Sequence, residues 1–155
     1  MFTAATPADW SELLAQARAL VAGERDAIAN AANLAALLFG ALPEINWAGF
    51  YLLKDGELVL GPFQGKPACV RIALGKGVCG TAAMRRETLV VDDVHRFPGH
   101  IACDAASNAE IVVPLLRDGA VIGVLDVDSP RFARFGADDR IGLEAVAALY
   151  VESLG

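Results

Sequence analysis

The sequence predicts an α+β domain. An antiparallel sheet should carry N- and C-terminal helices on one face and a ligand pocket under loops on the other. Three observations carry that reading. Two Asp-Gly pairs, Asp55-Gly56 and Asp118-Gly119, each sit between short apolar runs, the pattern of a tight β-hairpin. Apolar residues recur at helical spacing near both ends of the chain. Between the hairpins lies a polar stretch of about seventeen residues, 92–108. Loops that long in compact domains usually serve a function.

Local signals set the order of elements. Pro7 to Glu12 is a helix start, with proline and acids in the first turn. Trp10, Leu13, Leu14, Ala17, Leu20 and Val21 follow at helical spacing, and Gly23 ends the segment. A second helix is expected over 24–39. It would bury Ile28, Ala31, Ala32, Ala35, Leu38 and Phe39, with Gly40 and Pro43 as its stop. Strands follow at 47–53, 58–63 and 69–73. Gly75-Lys76-Gly77 leads into a short helix over 78–86, and 88–91 is a short strand. Beyond the long loop, strands at 110–116 and 120–127 flank the second hairpin turn. Pro114 cannot donate to a ladder, so an edge or bulge position is expected there. Asp138-Asp139 opens a last helix over 137–154. No repeat or linker interrupts the chain, which reads as a single domain over 1–155.

Composition bounds the function. The 155 residues are 55% hydrophobic and 21% charged, which excludes disorder. The chain is long enough to bury a core without disulfides or a structural metal. A net charge of -6 leaves no electrostatic footprint for nucleic acid or an anionic membrane. No apolar run reaches the roughly 18 residues of a membrane span. Met1 to Pro7 lacks the basic and apolar regions of a secretory leader. The expectation is a soluble cytoplasmic protein. Its terminal helices offer a face on which a homodimer could form.

The chemistry lies in cysteines, acids and aromatics. Cys69, Cys79 and Cys103 are odd in number, form no CxxC pair and fit no zinc spacing with His95 and His100. By themselves they read as small buried hydrophobes. Cys79 stands near a helix start, where the dipole would favour its thiolate. Asp126 and Asp128 are two apart on a strand, so they share one face, opposite to Leu125 and Val127. No Lys or Arg lies on that strand to pair with them. Crowded carboxylates raise one another's pKa, and a protonated one can act as a general acid. Trp47 and Tyr51 are four apart on the first strand and share a face. Both histidines read as loop-structuring residues.

The layout resembles the GAF domain, a small-molecule-binding α+β module. Three segments narrow the resemblance: Gly61-Pro62-Phe63-Gln64-Gly65-Lys66-Pro67-Ala68-Cys69, Gly75-Lys76-Gly77-Val78-Cys79-Gly80-Thr81-Ala82, and Phe97-Pro98-Gly99-His100-Ile101-Ala102-Cys103-Asp104. With Glu110-Ile111-Val112-Val113-Pro114-Leu115 and Gly123-Val124-Leu125-Asp126-Val127-Asp128-Ser129-Pro130, they resemble the free methionine-(R)-sulfoxide reductases from about Trp10 onward. One departure is Ala109, where that family usually has Ser, which would cost a hydroxyl beside the site.

The resemblance implies a thiol-dependent reduction of free L-methionine (R)-sulfoxide. Cys103 would attack sulfur and become a sulfenic acid, and Cys69 would resolve it to a disulfide. Cys79 is either an alternative resolving thiol or structural. Glu110 and Asp128 would act at the sulfoxide oxygen, and Asp126 would hold the ammonium. Trp47 and Tyr51 would wall the methyl pocket. Backbone N–H groups of Ile101, Ala102 and Cys103 would cradle the carboxylate. Electrons would come from thioredoxin, with no metal, flavin or nicotinamide cofactor. Two other readings stay open: a ligand-sensing GAF domain without catalysis, and a thiol redox sensor using Cys69 and Cys103.

Overall fold

The structure, a computed structural model, describes residues 9–100 and 106–155. In chain order the elements are α1 (Trp10–Val21), α2 (Ala27–Ala41), β1 (Trp47–Lys54), β2 (Glu57–Gly65), β3 (Arg71–Ala73) and α3 (Gly77–Arg85). Then come β4 (Leu89–Val91), a 3₁₀ turn (Val94–Arg96), β5 (Ala109–Arg117), β6 (Ala120–Ser129) and α4 (Ala137–Ser153). The strands form one sheet in the order β3-β2-β1-β6-β5-β4. All its pairings are antiparallel. Both Asp-Gly turns take left-handed backbone at both residues, which matches the twist of a hairpin. The two hairpins meet at β1 and β6, in the centre of the sheet.

Alternation along the strands divides the interior in two. Ala48, Phe50, Ile111, Val113, Leu115, Leu125 and Val127 face the terminal helices. There they pack on Leu13, Ala17, Leu34, Leu38, Leu143, Val146 and Tyr150. Each large apolar side chain so buried contributes about 1.5–3 kcal/mol. The opposite face presents Trp47, Tyr51, Leu58, Ile72, Val112 and Val124 to Val78, Cys79, Ala82 and Ala83 of α3. The helical layer therefore lies on one face and the short helix on the other, as the sequence predicts. No helix among the described residues is long and apolar enough to cross a membrane.

The second helix differs from expectation at its start and in its phase. Glu24 accepts from the backbone N–H of Arg25 and Asp26, and Asp26 caps the helix through Ala29 N–H at 2.8 Å. The helix therefore begins at Ala27. Its buried stripe is Asn30, Ala31, Leu34, Ala35 and Leu38. Ile28 is 55% and Phe39 37% exposed, and Ala32 is exposed as well. The buried Asn30 amide donates to the Glu24 carbonyl and to Ser153 Oγ, both at 2.9 Å, so its burial leaves no donor unmet. Pro114 sits in an interior strand, but β4 pairs with β5 only from Glu110 to Val112. At Pro114 β5 is a local edge, and a bulge follows between Leu115 and Leu116.

Gly142 of α4 lies against the Trp10 indole. A Cβ there would stand 2.2 Å from Trp10 Cδ2, and the indole N–H donates to Asp139 Oδ1 at 3.2 Å. Gly142→Ala should force α1 off α4 and cost about 1–3 kcal/mol. Chemical denaturation followed by circular dichroism measures this, and an unchanged midpoint would contradict the packing described.

Candidate active site

The site is built on the strand register. Trp47, Asp128 and Glu110 form one cross-strand row, and Gly49, Asp126 and Val112 form the next. Tyr51, Val124 and Pro114 form the third. All point to the face opposite the terminal helices. The same-face placement of Asp126 and Asp128 thus stands, and Glu110 joins them from the neighbouring strand. Ala109 points the other way, into the helix-side core. The missing hydroxyl is therefore not beside the site, which corrects that expectation.

Helix α3 closes over this face and sets Cys79 against Glu110. The thiol donates to Glu110 Oε2 across 3.9 Å, a reach only sulfur makes. Glu110 is 8% and Asp126 5% exposed, and Asp128 is half-buried. Among the described residues, Asp126 Oδ1 has no hydrogen-bond partner. Burial, then the Asp128 charge, pushes the Asp126 carboxyl up from 3.8 to about 8. Burial, then Asp126, holds Glu110 well above the usual carboxylate range. Burial is the first cause in both, ahead of the crowding the sequence suggested.

Cys79 overturns the expectation of a helix-stabilised thiolate. Burial, then Asp126 and Glu110, raises its pKa well above the ordinary thiol value. It sits inside the first turn of α3 but faces two carboxyls, so desolvation and negative charge outweigh the dipole. Cys79 is a free thiol, whereas Cys69 is disulfide-bonded. Ile101, Ala102 and Cys103 lie outside the described residues.

The aromatics form a wall. Trp47 stacks on Phe63 at 5.2 Å and on Tyr51 at 5.9 Å. Its indole N–H donates to the Lys66 carbonyl at 3.1 Å, and the Tyr51 hydroxyl donates to the Cys69 carbonyl at 2.9 Å. Burial, then Asp126, keeps Tyr51 protonated far above its usual range. Both polar atoms are thus committed to the segment that carries Cys69, and the rings remain to face a ligand. Gly49 makes the wall possible. A Cβ there would meet Phe63 Cβ at 2.3 Å and the Trp47 ring at 2.8 Å.

A pocket joins these groups. Trp47, Tyr51, Cys79, Glu110, Asp126 and Asp128 line it together with Pro67, Ala68, Ile72, Lys76, Gly77, Val78, His100 and Ser107. Lys76, His100 and Ser107 were missed as site residues. The Gly75-Lys76-Gly77 run ahead of the Cys79 helix was the available signal for Lys76. His95 does structure its loop, through Asn108 Oδ1 at 2.9 Å. His100 lines the pocket instead, and burial, then the neighbouring His95, lowers its pKa. The Cys79 sulfur and carboxyl oxygens of Glu110 and Asp126 lie within 4.8 Å of one another and could offer three ligands to a cation.

A buried acidic pair beside a thiol, under an aromatic wall on a six-stranded antiparallel sheet, is a small-molecule site of the GAF type, and a family model described as GAF domain matches residues 29–154. The free methionine-R-sulfoxide reductase of Escherichia coli is 56% identical over 139 residues, covering 90% of this chain and 84% of that protein. The solved structure of fRMsr of Staphylococcus aureus, in its reduced form, is 51% identical with a TM-score of 0.95, covering 99% of this chain and 100% of that one. The free methionine-R-sulfoxide reductase from Neisseria meningitidis, solved with its substrate, is 46% identical with a TM-score of 0.92, covering 99% and 93%. The chain belongs to the free methionine-R-sulfoxide reductases of the GAF family.

The raised acid also shapes stability. Between 3.8 and about 8, the unfolded chain releases the Asp126 proton while the folded chain keeps it. Its contribution is therefore complete below 3.8 and lost as pH rises towards about 8. Asp126→Asn should raise Tm at about pH 8 by roughly 2–4 °C or more. It should also flatten the fall in Tm between about pH 5 and about pH 8. Calorimetry across that range checks both, and a parallel or steeper pH profile would contradict the buried acid.

Proposed function

We propose that this chain reduces free L-methionine (R)-sulfoxide to methionine, with Cys103 as nucleophile and Cys69 as resolving thiol. The buried, protonated Glu110 carboxyl on the pocket floor carries the reading. A sulfoxide oxygen leaves only when it is protonated, and Glu110 sits where burial keeps its proton on at neutral pH. Family membership supports the substrate.

The Cys103 thiolate attacks the sulfoxide sulfur while a carboxyl protonates the oxygen. That attack joins the Cys103 sulfur to the substrate sulfur; the hydroxyl then passes to the Cys103 sulfur as this bond and the S–O bond both break, so methionine departs and Cys103 is left as a sulfenic acid. A second thiol displaces water and forms the disulfide. An external dithiol, for which we propose thioredoxin, then reduces that disulfide by exchange and takes up the oxidising equivalent. The bonded state of Cys69 and the free, carboxyl-flanked Cys79 support Cys69 as resolver and Cys103 as its partner. Cys79 then acts beside the reaction, donating to Glu110 and holding it in place.

Glu110 and Asp128 occupy one cross-strand row with Trp47. That row suits oxygen protonation next to a methyl-binding ring. Asp126, whose Oδ1 has no hydrogen-bond partner among the described residues, suits the ammonium, whose positive charge favours the ionised carboxylate and draws off its proton. The backbone N–H groups of Ile101, Ala102 and Cys103 are assigned to the carboxylate. Charges for both ends of an amino acid favour the free substrate over a peptide.

Cys103→Ser should abolish reduction even with a strong synthetic dithiol. Cys69→Ser should still release one methionine per chain in a single turnover while losing thioredoxin-driven turnover. Quantifying methionine with the R epimer, and with the S epimer as control, separates these outcomes. Near wild-type turnover by Cys103→Ser would refute the nucleophile.

Acetylating the substrate's amino group should cost about 2–5 kcal/mol of transition-state binding, because it removes the positive charge that Asp126 pairs with. The comparison of kcat/KM for free and N-acetylated sulfoxide measures it, and equal values would remove the amino-acid site.

A further inference from the structure

We infer that Cys79, Glu110 and Asp126 form a binding site for a thiophilic divalent cation, Zn²⁺ above all. Their three ligand atoms already lie within 4.8 Å of one another, and all three residues are buried. The Cys79 sulfur and Glu110 Oε2 are 3.9 Å apart. Zinc bonds of about 2.3 Å to sulfur and about 2.0–2.2 Å to carboxylate oxygen put tetrahedral ligands roughly 3.5 Å apart. Shifts of about 1 Å or less per side chain close the set.

A second observation points to a positively charged ligand. Asp126 is 5% exposed and lines the pocket; its carboxyl hydrogen-bonds to Glu110 and Cys79, but Oδ1 has no hydrogen-bond partner among the described residues. Leaving such an atom unmatched is costly unless something occupies the pocket and meets it. Ligand chemistry then selects the cation. Mg²⁺ and Ca²⁺ take all-oxygen sets, whereas one thiolate with two carboxylates and a fourth position open to the pocket suits zinc. The ligands come from α3, β5 and β6, and the strand pairing holds Glu110 and Asp126 in register on either side of the same ladder. Binding ionises groups that burial otherwise keeps neutral, so protons leave as the metal enters. A cation here takes carboxyl oxygens that the proposed function gives to the substrate. Zinc and substrate are then mutually exclusive, and this last point alone rests on the proposed function.

The test uses the full chain with the Cys69 disulfide intact, so that Cys79 is the free thiol. Titration with Co²⁺ should give one equivalent per chain and a thiolate-to-cobalt charge-transfer band, and Zn²⁺ should bleach that band. Cys79→Ser should remove the band, and Asp126→Asn should weaken Co²⁺ binding by about tenfold or more. Should Cys79→Ser not fold by circular dichroism, Glu110→Gln carries the test through the same loss of affinity. Absence of the band from the wild-type chain would overturn the site, as would a band or affinity that these substitutions leave unchanged. Free methionine should displace the cobalt. A band that survives saturating methionine would overturn the exclusion while leaving the metal site standing.

Discussion

The carboxyl groups of Asp126 and Glu110 stand on the apolar face of a sheet, and the surrounding architecture follows from the cost of that placement. A charged carboxylate there would lose its hydration, and the Asp126 strand carries no Lys or Arg to replace it. The groups therefore keep their protons, and the covering elements must hold water out to keep them that way. Helix α3 does this with Val78, Cys79, Ala82 and Ala83. The thiol of Cys79 meets Glu110, and the aromatic wall closes the side. A site built in this way holds acids in reserve at neutral pH, as removal of an oxygen from sulfur requires.

Acid and thiol chemistry rest on different kinds of scaffold. The acids belong to β5 and β6, whose relative positions are set by a ladder running from Ala109–Ser129 to Arg117–Ala120. Cys69 belongs to the connection between β2 and β3, tied to the sheet by the Tyr51 hydroxyl, while Trp47 ties the same connection at Lys66. The ring wall thus does two jobs. Its faces line the pocket, and its polar edges hold the segment that carries Cys69.

Much of this layout is legible in the sequence where the signal is local. Asp55-Gly56 and Asp118-Gly119 mark both hairpins, and the period of a strand is enough to put Asp126 and Asp128 on one face. The joining of the hairpins through β1 and β6 is not local, so the row of Trp47, Asp128 and Glu110 emerges only from the register. The phase of α2 escaped because a satisfied Asn30 counts as buried, which apolar spacing does not reveal. Cys79 escaped for a related reason. A helix start can be read from residues, whereas the carboxyls packed against it from other strands cannot.

The chain carries two tryptophans, and the sheet separates them. Trp10 lies in the helical layer against α4, and Trp47 stands in the pocket wall. The molecule therefore contains an optical reporter on each side of its own partition. With Trp10 replaced by Phe, the remaining emission comes from an indole stacked on Phe63 and Tyr51 at the pocket wall. Its colour and intensity then register occupancy of the pocket without an added label. The complementary chain, retaining Trp10 alone, follows the docking of α1 on α4 while remaining blind to the chemistry on the other face.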